Sequence, residues 1–480
     1  MPNLIPSTDY QAAYAQFLQR YPAYEQSLSL DELRAREYAR LDAQGMIYLD
    51  YTGGGLYAES QVQKHLALLS QSVFGNPHSS NPTSLLATRL AEEARQAVLR
   101  HFNASPDEYV VIFTSNASGA LKLVGESFPF SPHSRYLLTF DNHNSVNGIR
   151  EFARARGAQV TYLPICLPEL RVDESQVEAY LDMIEPGGHN LFAFPAQSNF
   201  SGVQHPLEWI EKAHQRGWVV LLDGAAFVPT NGLDLSRWKP DFVPISFYKM
   251  FGYPTGVGAL LARKAALGLL HRPWFAGGTI TVASVQGDKY YLAAGEAAFE
   301  EGTLNYLSLP AITIGLEHLH TVGMETIHQR VTCLAGWLVD QLSALQDEKG
   351  QAGVRIYGPT SSDRRGGTIA LNFYDGRDTL IDHRLVEERT NLANISIRTG
   401  CFCNPGAGEV ALEISQPELI TCFAQPAERL TLDDFRVCIH GKNSGAVRIS
   451  VGIASNFMDV YRFMQYVGRG MGGHSEGNGK

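Results

Sequence analysis

Lys249 closes Ser246-Phe-Tyr-Lys249, directly behind the apolar run Asp241–Ile245, and an earlier run, Trp218–Leu222, ends on Asp223. Both runs read as strands. Ligands of open α/β sheets gather at the carboxyl ends of strands, so this amine and this carboxylate can face one bound ring. A lysine that links to an aldehyde and a carboxylate that keeps a ring nitrogen protonated are the pair that pyridoxal phosphate chemistry needs. Spacing alone is weak evidence, because most lysines that follow a strand are simply solvated.

Other strand ends add to it. Tyr109–Phe113 leads into Thr114-Ser-Asn-Ala-Ser-Gly119 and then a helical pattern through Leu121, Val124 and Phe128. Small and hydroxylic residues at such a junction leave helix N-terminal amides for an anion, so Ala117 and Ser118 form a candidate phosphate cradle; an ordinary N-cap would look similar. Tyr136–Phe140 runs into Asp141-Asn-His-Asn144 and brings His143 to the same edge, where an imidazole can stack on a ring or serve as a loop hydrogen-bonding group. Asn190–Phe194 leads to Asn199. Convergence of five polar positions outweighs any one of them. Far along the chain, Arg398-Thr-Gly-Cys-Phe-Cys403 precedes Asn404-Pro-Gly-Ala-Gly408. An arginine can grip a carboxylate with two parallel hydrogen bonds, and a cysteine on a Gly/Pro-rich loop can move toward a substrate. The bland alternative makes Cys401 and Cys403 small buried hydrophobes. Zinc is not expected, because no second Cys/His pair stands at ligand spacing nearby.

The elements that must position these groups alternate in type. Strands separated by helices such as Ser84–Phe102 and Leu207–Gln215 predict an α/β fold with a mainly parallel sheet flanked by helices. Residues 1–45 read as helices outside that sheet, packing with a smaller domain, and 46–308 as the large, ligand-binding domain. A long helix from about Ile312 to Leu345, broken at Gly323, and a strand Gly367–Asn372 open a smaller α+β domain over 309–466; 467–480 reads as a disordered tail. The 480 residues are 44% hydrophobic and 18% charged, enough for a large core in more than one domain. A formal charge of -10 gives no footprint for nucleic acid, and no run suits a membrane surface or span. Six irregularly spaced cysteines make no disulfide framework, which suits a reducing compartment, and the start lacks a signal-peptide pattern, so a cytoplasmic location is expected.

With these residues in place, the chain resembles the class V, cysteine-desulfurase-like branch of the fold type I pyridoxal-phosphate enzymes. Within it the likeness is greatest to the N-terminal desulfurase domain of the molybdenum cofactor sulfurases. The resemblance runs from Tyr48-Leu-Asp50 to Val447-Arg-Ile-Ser450, and its most specific stretches include Gly75-Asn-Pro-His-Ser79, Asn142-His-Asn-Ser-Val146, Asp241 to Lys249 and Arg398 to Gly406. It implies a seven-stranded sheet, pyridoxal 5'-phosphate as cofactor and a homodimer. It also implies site roles: Lys249 for the Schiff base, Asp223 for the pyridine nitrogen, His143 stacked on the ring, Asn199 at the ring hydroxyl, and Ala117, Ser118 and Ser246 at the phosphate. Arg398, with Asn199 and His78, would bind substrate, Cys403 would be the nucleophile, and Gly278 and Thr279 would reach the phosphate of a partner subunit. Tyr248, Ala226 and Gly408 depart from the family's usual residues.

The resemblance implies desulfuration of L-cysteine or a close analogue, with a persulfide on Cys403, alanine as product, and an unidentified acceptor for the sulfur. A C–S or selenocysteine lyase without an enzyme persulfide is the alternative, and a non-catalytic cofactor-binding scaffold a third reading.

Overall fold

A computed structural model of the chain describes residues 9–77, 79–346, 353–375, 379–424, 430–439 and 442–469. Seven strands build the main sheet: β1 Tyr109–Thr114, β2 Arg135–Thr139, β3 Gln159–Leu163, β4 Leu191–Pro195, β5 Val219–Asp223, β6 Phe242–Ser246 and β7 Gly258–Arg263. Their order is β1-β7-β6-β5-β4-β2-β3, with β7 antiparallel to both neighbours and the pairs from β6 to β3 parallel. The expected seven-stranded, mainly parallel sheet is therefore present.

Helices on both faces explain why these strands are near-continuous apolar runs. Successive side chains point to opposite faces, so each strand divides its residues between two cores. Val111, Phe113, Phe192, Phe194, Leu222 and Ile245 enter one; Val110, Ile112, Leu191, Ala193, Leu221 and Phe242 enter the other. The first core continues into a second sheet of β8 Val354–Tyr357, β9 Thr368–Phe373, β10 Arg398–Gly400 and β11 Ala446–Ser450, ordered β8-β9-β11-β10 and wholly antiparallel. It also takes in Phe17 and Tyr24 from the N-terminal helices. Arg448 of β11 donates to the carbonyl of Asn199, a few residues beyond the end of β4.

Helices Leu309–Val322 and Met324–Ser343 link the two sheets, separated at Gly323, whose φ of +88° falls where a side chain would be strained. The expected break is in place. The helix expected from Ser84 runs Pro82–His101, with Asn81 accepting from the Ser84 N–H and Pro82 at the first turn. The last helix extends through Gly468, two residues into the expected tail, and 470–480 lie outside the described residues. One expectation needs correction: Cys422 and Cys438, on two short helices before β11, form a disulfide with a Cα separation of 5.4 Å. Their pairing depends on the packing of those helices, which the spacing of cysteines along the chain does not reveal. Cys166, Cys333, Cys401 and Cys403 are free thiols.

Candidate active site

Strands β2, β4, β5 and β6 end on one cleft of about 180 Å³, whose lining includes Ala117, Ser118, His143, Asn199, Asp223, Ser246, Tyr248 and Lys249. Each arrives there for a local reason. Asp223 is the last residue of β5 and accepts a hydrogen bond from the Ala225 N–H at 3.0 Å, which fixes its carboxylate at the turn. Ser246 ends β6, and its hydroxyl accepts from the Ala117 N–H at 2.9 Å, tying two strand ends together at the start of helix Ala117–Ser127. The Ser118 hydroxyl lies 2.6 Å from that of Ser145. His143 caps a short helix: Nδ1 accepts from the Ser145 N–H at 3.1 Å, so a neutral ring carries its proton on Nε2.

The electrostatics suit an amine that reacts rather than one that pairs. Burial pushes the Lys249 pKa down, opposed mainly by the Asp223 charge and helped by Arg448. Lys249 makes no hydrogen bond or ion pair with the described residues. His143 is also lowered by burial, with Asp223 opposing and Lys249 assisting, which keeps the imidazole neutral at pH 7.

The arginine and cysteine segment sits at the rim. Arg398 is half exposed, and its Nε and Nη2 donate to both oxygens of Asp50 at 2.7–3.2 Å. Arg448 stands directly opposite it across the β10–β11 pair, is buried, and donates to the same Asp50 at 3.0 Å and to the Asn199 carbonyl at 3.0 Å. Two like charges face each other across a ladder, and one carboxylate neutralises the repulsion. Burial lowers the Arg448 pKa, with Asp50 opposing. Arg448 and Asp50 are site residues that no strand-end or loop pattern in the sequence singles out. Each stood inside the motifs that mark the resemblance, yet nothing local in the sequence marks them as partners.

Cys401 and Cys403 do not lie on an extended segment, where both side chains would share a face. The Asn404 N–H donates to the Cys401 carbonyl at 2.9 Å, and Phe402 and Cys403 both have φ of +56°, which makes a tight turn with two left-handed centres. Each such residue costs on the order of 1–2 kcal/mol when it carries a side chain. Tertiary hydrogen bonds hold it: Asn199 Nδ2 donates to the Phe402 carbonyl at 2.7 Å and the Asn144 N–H to the Cys403 carbonyl at 2.6 Å. The Phe402 ring packs on Phe200 and under the Arg448 guanidinium. Both thiols are exposed.

Gly278 and Thr279 stand apart from this cleft. Gly278 is exposed and Thr279 hydrogen-bonds Ala276; neither lines the cleft of its own chain. His78 lies outside the described residues.

A family model described as aminotransferase class-V matches residues 47–463. The chain belongs to that family. It is 39% identical over 488 residues to a molybdenum cofactor sulfurase of Solanum lycopersicum, covering 94% of this chain and 59% of that protein. It is also 39% identical over 461 residues to the Homo sapiens molybdenum cofactor sulfurase, covering 92% and 51%. This class V chain thus spans only about half to three fifths of the length of those relatives. Among solved structures, a cysteine desulfurase from Thermococcus onnurineus NA1 superposes with a TM-score of 0.73 at 22% identity, covering 91% of this chain and 97% of that one. The cystine C–S lyase C-DES, bound to its product cysteine persulfide, gives 0.66 at 18% identity, covering 88% and 97%. Both likenesses establish the fold.

The residues of this class V chain fit pyridoxal 5'-phosphate, the cofactor present in a C-DES structure 18% identical to it. Lys249 is an amine without a partner among the described residues, Asp223 is a fixed carboxylate beside it, and hydroxyls of Ser118 and Ser246 stand at a helix start where an anion is favoured.

Proposed function

We propose that this chain is a pyridoxal-phosphate-dependent cysteine desulfurase that takes sulfur from L-cysteine as a Cys403 persulfide and releases alanine. The observation that carries the reading is the pairing of the Lys249/Asp223 cleft with an exposed Cys403, whose turn is hydrogen-bonded to two cleft segments through Asn144 and Asn199. When bound, pyridoxal phosphate links covalently to an amine and draws electrons from the substrate α-carbon. Lys249 would hold it covalently, and its amine is the group that would move a proton at the α-carbon. Asp223 would keep the ring nitrogen protonated, His143 would lie against the ring, Asn199 would hold its hydroxyl, and Ala117, Ser118 and Ser246 would hold the phosphate. Arg398 binds the substrate carboxylate together with Arg448, whose shared Asp50 leaves guanidinium donors to spare, and His78 adds a substrate contact. The Cys403 thiolate bonds to the substrate sulfur, the Cβ–S bond breaks with its electron pair left on carbon, and a proton completes the methyl group of alanine.

The rest of the assembly belongs to the same proposal. Two copies pair about a two-fold axis, with Gly278 and Thr279 serving the partner's phosphate site. Each copy divides into residues 46–308 and 309–466, with 1–45 packed on the latter. The acceptor of the sulfur is molybdenum cofactor or another thiophilic group, in the cytoplasm; four free thiols favour that compartment and the Cys422–Cys438 disulfide weighs against it. The lyase reading is the alternative, because C-DES shares the fold. Sulfur-labelled L-cysteine separates the two. Wild type and Cys401→Ser should carry label on protein, and Cys403→Ser should carry none. Alanine release by Cys403→Ser at the wild-type rate, without added thiol, would replace the desulfurase reading with the lyase.

A further inference from the structure

The turn that carries Cys403 is built against the preference of its own residues. Left-handed backbone is the province of glycine, and both central positions, Phe402 and Cys403, carry side chains at φ of +56° while glycine stands nearby at 400 and 406. Such a conformation persists only where its surroundings over-determine it. Here the surroundings converge on Asn404. Its side chain is fully buried; Nδ2 donates to the Asp141 carbonyl at 2.7 Å and to Asn199 Oδ1 at 2.9 Å, and Oδ1 accepts from the Ala407 N–H at 3.2 Å. The first two bonds join the end of the turn to the end of β2 and to the asparagine whose own Nδ2 holds the Phe402 carbonyl. Behind them the backbone is pressed against β2: a Cβ on Gly406 would stand 2.0 Å from the Phe140 carbonyl oxygen.

We infer that Asn404 is a positioning residue for sulfur transfer: by bridging Asp141 and Asn199 it keeps Phe402 and Cys403 left-handed and so fixes where the Cys403 thiol stands over the cleft. The inference rests on the desulfurase reading above. Without the bridge the turn relaxes toward negative φ, a rotation of roughly 120° that re-aims the Cys403 side chain.

A mere helix cap can be told from a positioning bridge, because the two roles use different atoms. Asn404→Asp keeps the cap acceptor but presents a carboxylate to the Asp141 carbonyl and to Asn199 Oδ1. If Asn199 turns its amide to satisfy that carboxylate, it withdraws its donor from Phe402. The rate of label transfer to Cys403 should fall about 10- to 100-fold, as for a misplaced reacting group, while covalent retention of cofactor on a desalting column, which depends on Lys249, stays at the wild-type level. Asn404→Ser, which caps with its hydroxyl and cannot reach both partners, should show the same loss and serves if the aspartate variant does not fold. A glycine at 402 is at ease in the left-handed region, so Phe402→Gly combined with Asn404→Asp should lose less than the product of the two single losses. Label on the wild type with unimpaired transfer in Asn404→Asp or Asn404→Ser, or strictly multiplicative losses in the double variant, overturns the inference alone. No label on the wild type overturns the desulfurase reading and this inference with it.

Discussion

Buried cations serve opposite ends in two parts of this chain. Where the N-terminal helices meet the C-terminal helix Phe457–Gly468, Arg34 and Arg330 are almost wholly enclosed and every direction is answered. Arg34 donates to Asp42, Asp459 and the Ala454 carbonyl, and Arg330 to Asp31, to Ser27 and to the Ser455 carbonyl, beneath the Tyr24 ring. At the cleft, among the described residues, Lys249 has no partner and Arg448 keeps a buried Nε without an acceptor, and one carboxylate, Asp50, is divided between two arginines. A fully answered charge fixes the chain; an under-answered one is left for a ligand.

Removing the cations tests that contrast. Lys249→Ala should lower alanine release by about a thousandfold or more and abolish covalent retention of cofactor on a desalting column. The same variant's apoprotein should unfold no earlier than wild type, since the cation it loses has no partner among the described residues. Arg34→Ala should behave in the opposite sense and destabilise by about 3–5 kcal/mol in denaturant melts, because it strands the buried Asp459 carboxylate. Equal destabilisation by the two variants would erase the distinction.

The sequence revealed these regions unequally. Lys249, Asp223, His143 and Asn199 were legible because each follows an apolar run, and strand ends in a parallel sheet converge by construction. Cys403 was legible as a residue but not as a conformation, because its turn has no glycine at the left-handed positions that would announce it. Arg448 and Asp50 lie 398 residues apart, and their meeting with Arg398 depends on the register of β10 on β11 and on the isolated bridge between Asp50 and Ser450. Arg34 and Arg330 were invisible for the same reason: in sequence they are solvated-looking helix charges, and only the packing of residues 27–42 on 454–459 encloses them. The disulfide between Cys422 and Cys438 is likewise a product of helix packing rather than of spacing.

Within the cleft the two arginines offer a finer comparison. Arg448→Lys removes a planar fork that holds both Asp50 and the Asn199 carbonyl, whereas Arg398→Lys alters a half-exposed group that holds Asp50 alone. Steady-state kinetics should show the KM for cysteine rising tens-fold for Arg448→Lys and by less for Arg398→Lys. The reverse order would mean that the rim arginine is the main carboxylate contact.

The smallest effect is one of pH. Lys249 is lowered from 10.5 chiefly by burial, with Asp223 and Cys403 opposing and Arg448 and Arg398 assisting. A depressed pKa means that the folded apoprotein binds fewer protons at this site than the unfolded chain does, so folding stability rises with pH between the folded pKa and 10.5. Below that window the charged lysine is a burden that Lys249→Ala does not carry; above it both chains are free of the burden. The stability of Lys249→Ala apoprotein relative to wild type should therefore shrink steadily as pH is raised toward 10.5, in urea melts at fixed ionic strength. The neutral amine is also the form that adds to an aldehyde, so cofactor uptake by wild-type apoprotein should speed up through an inflection below 10.5. A difference between the two apoproteins that does not vary with pH would show that Lys249 is as well answered as Arg34, and the contrast between cleft and seam would fail at its central residue.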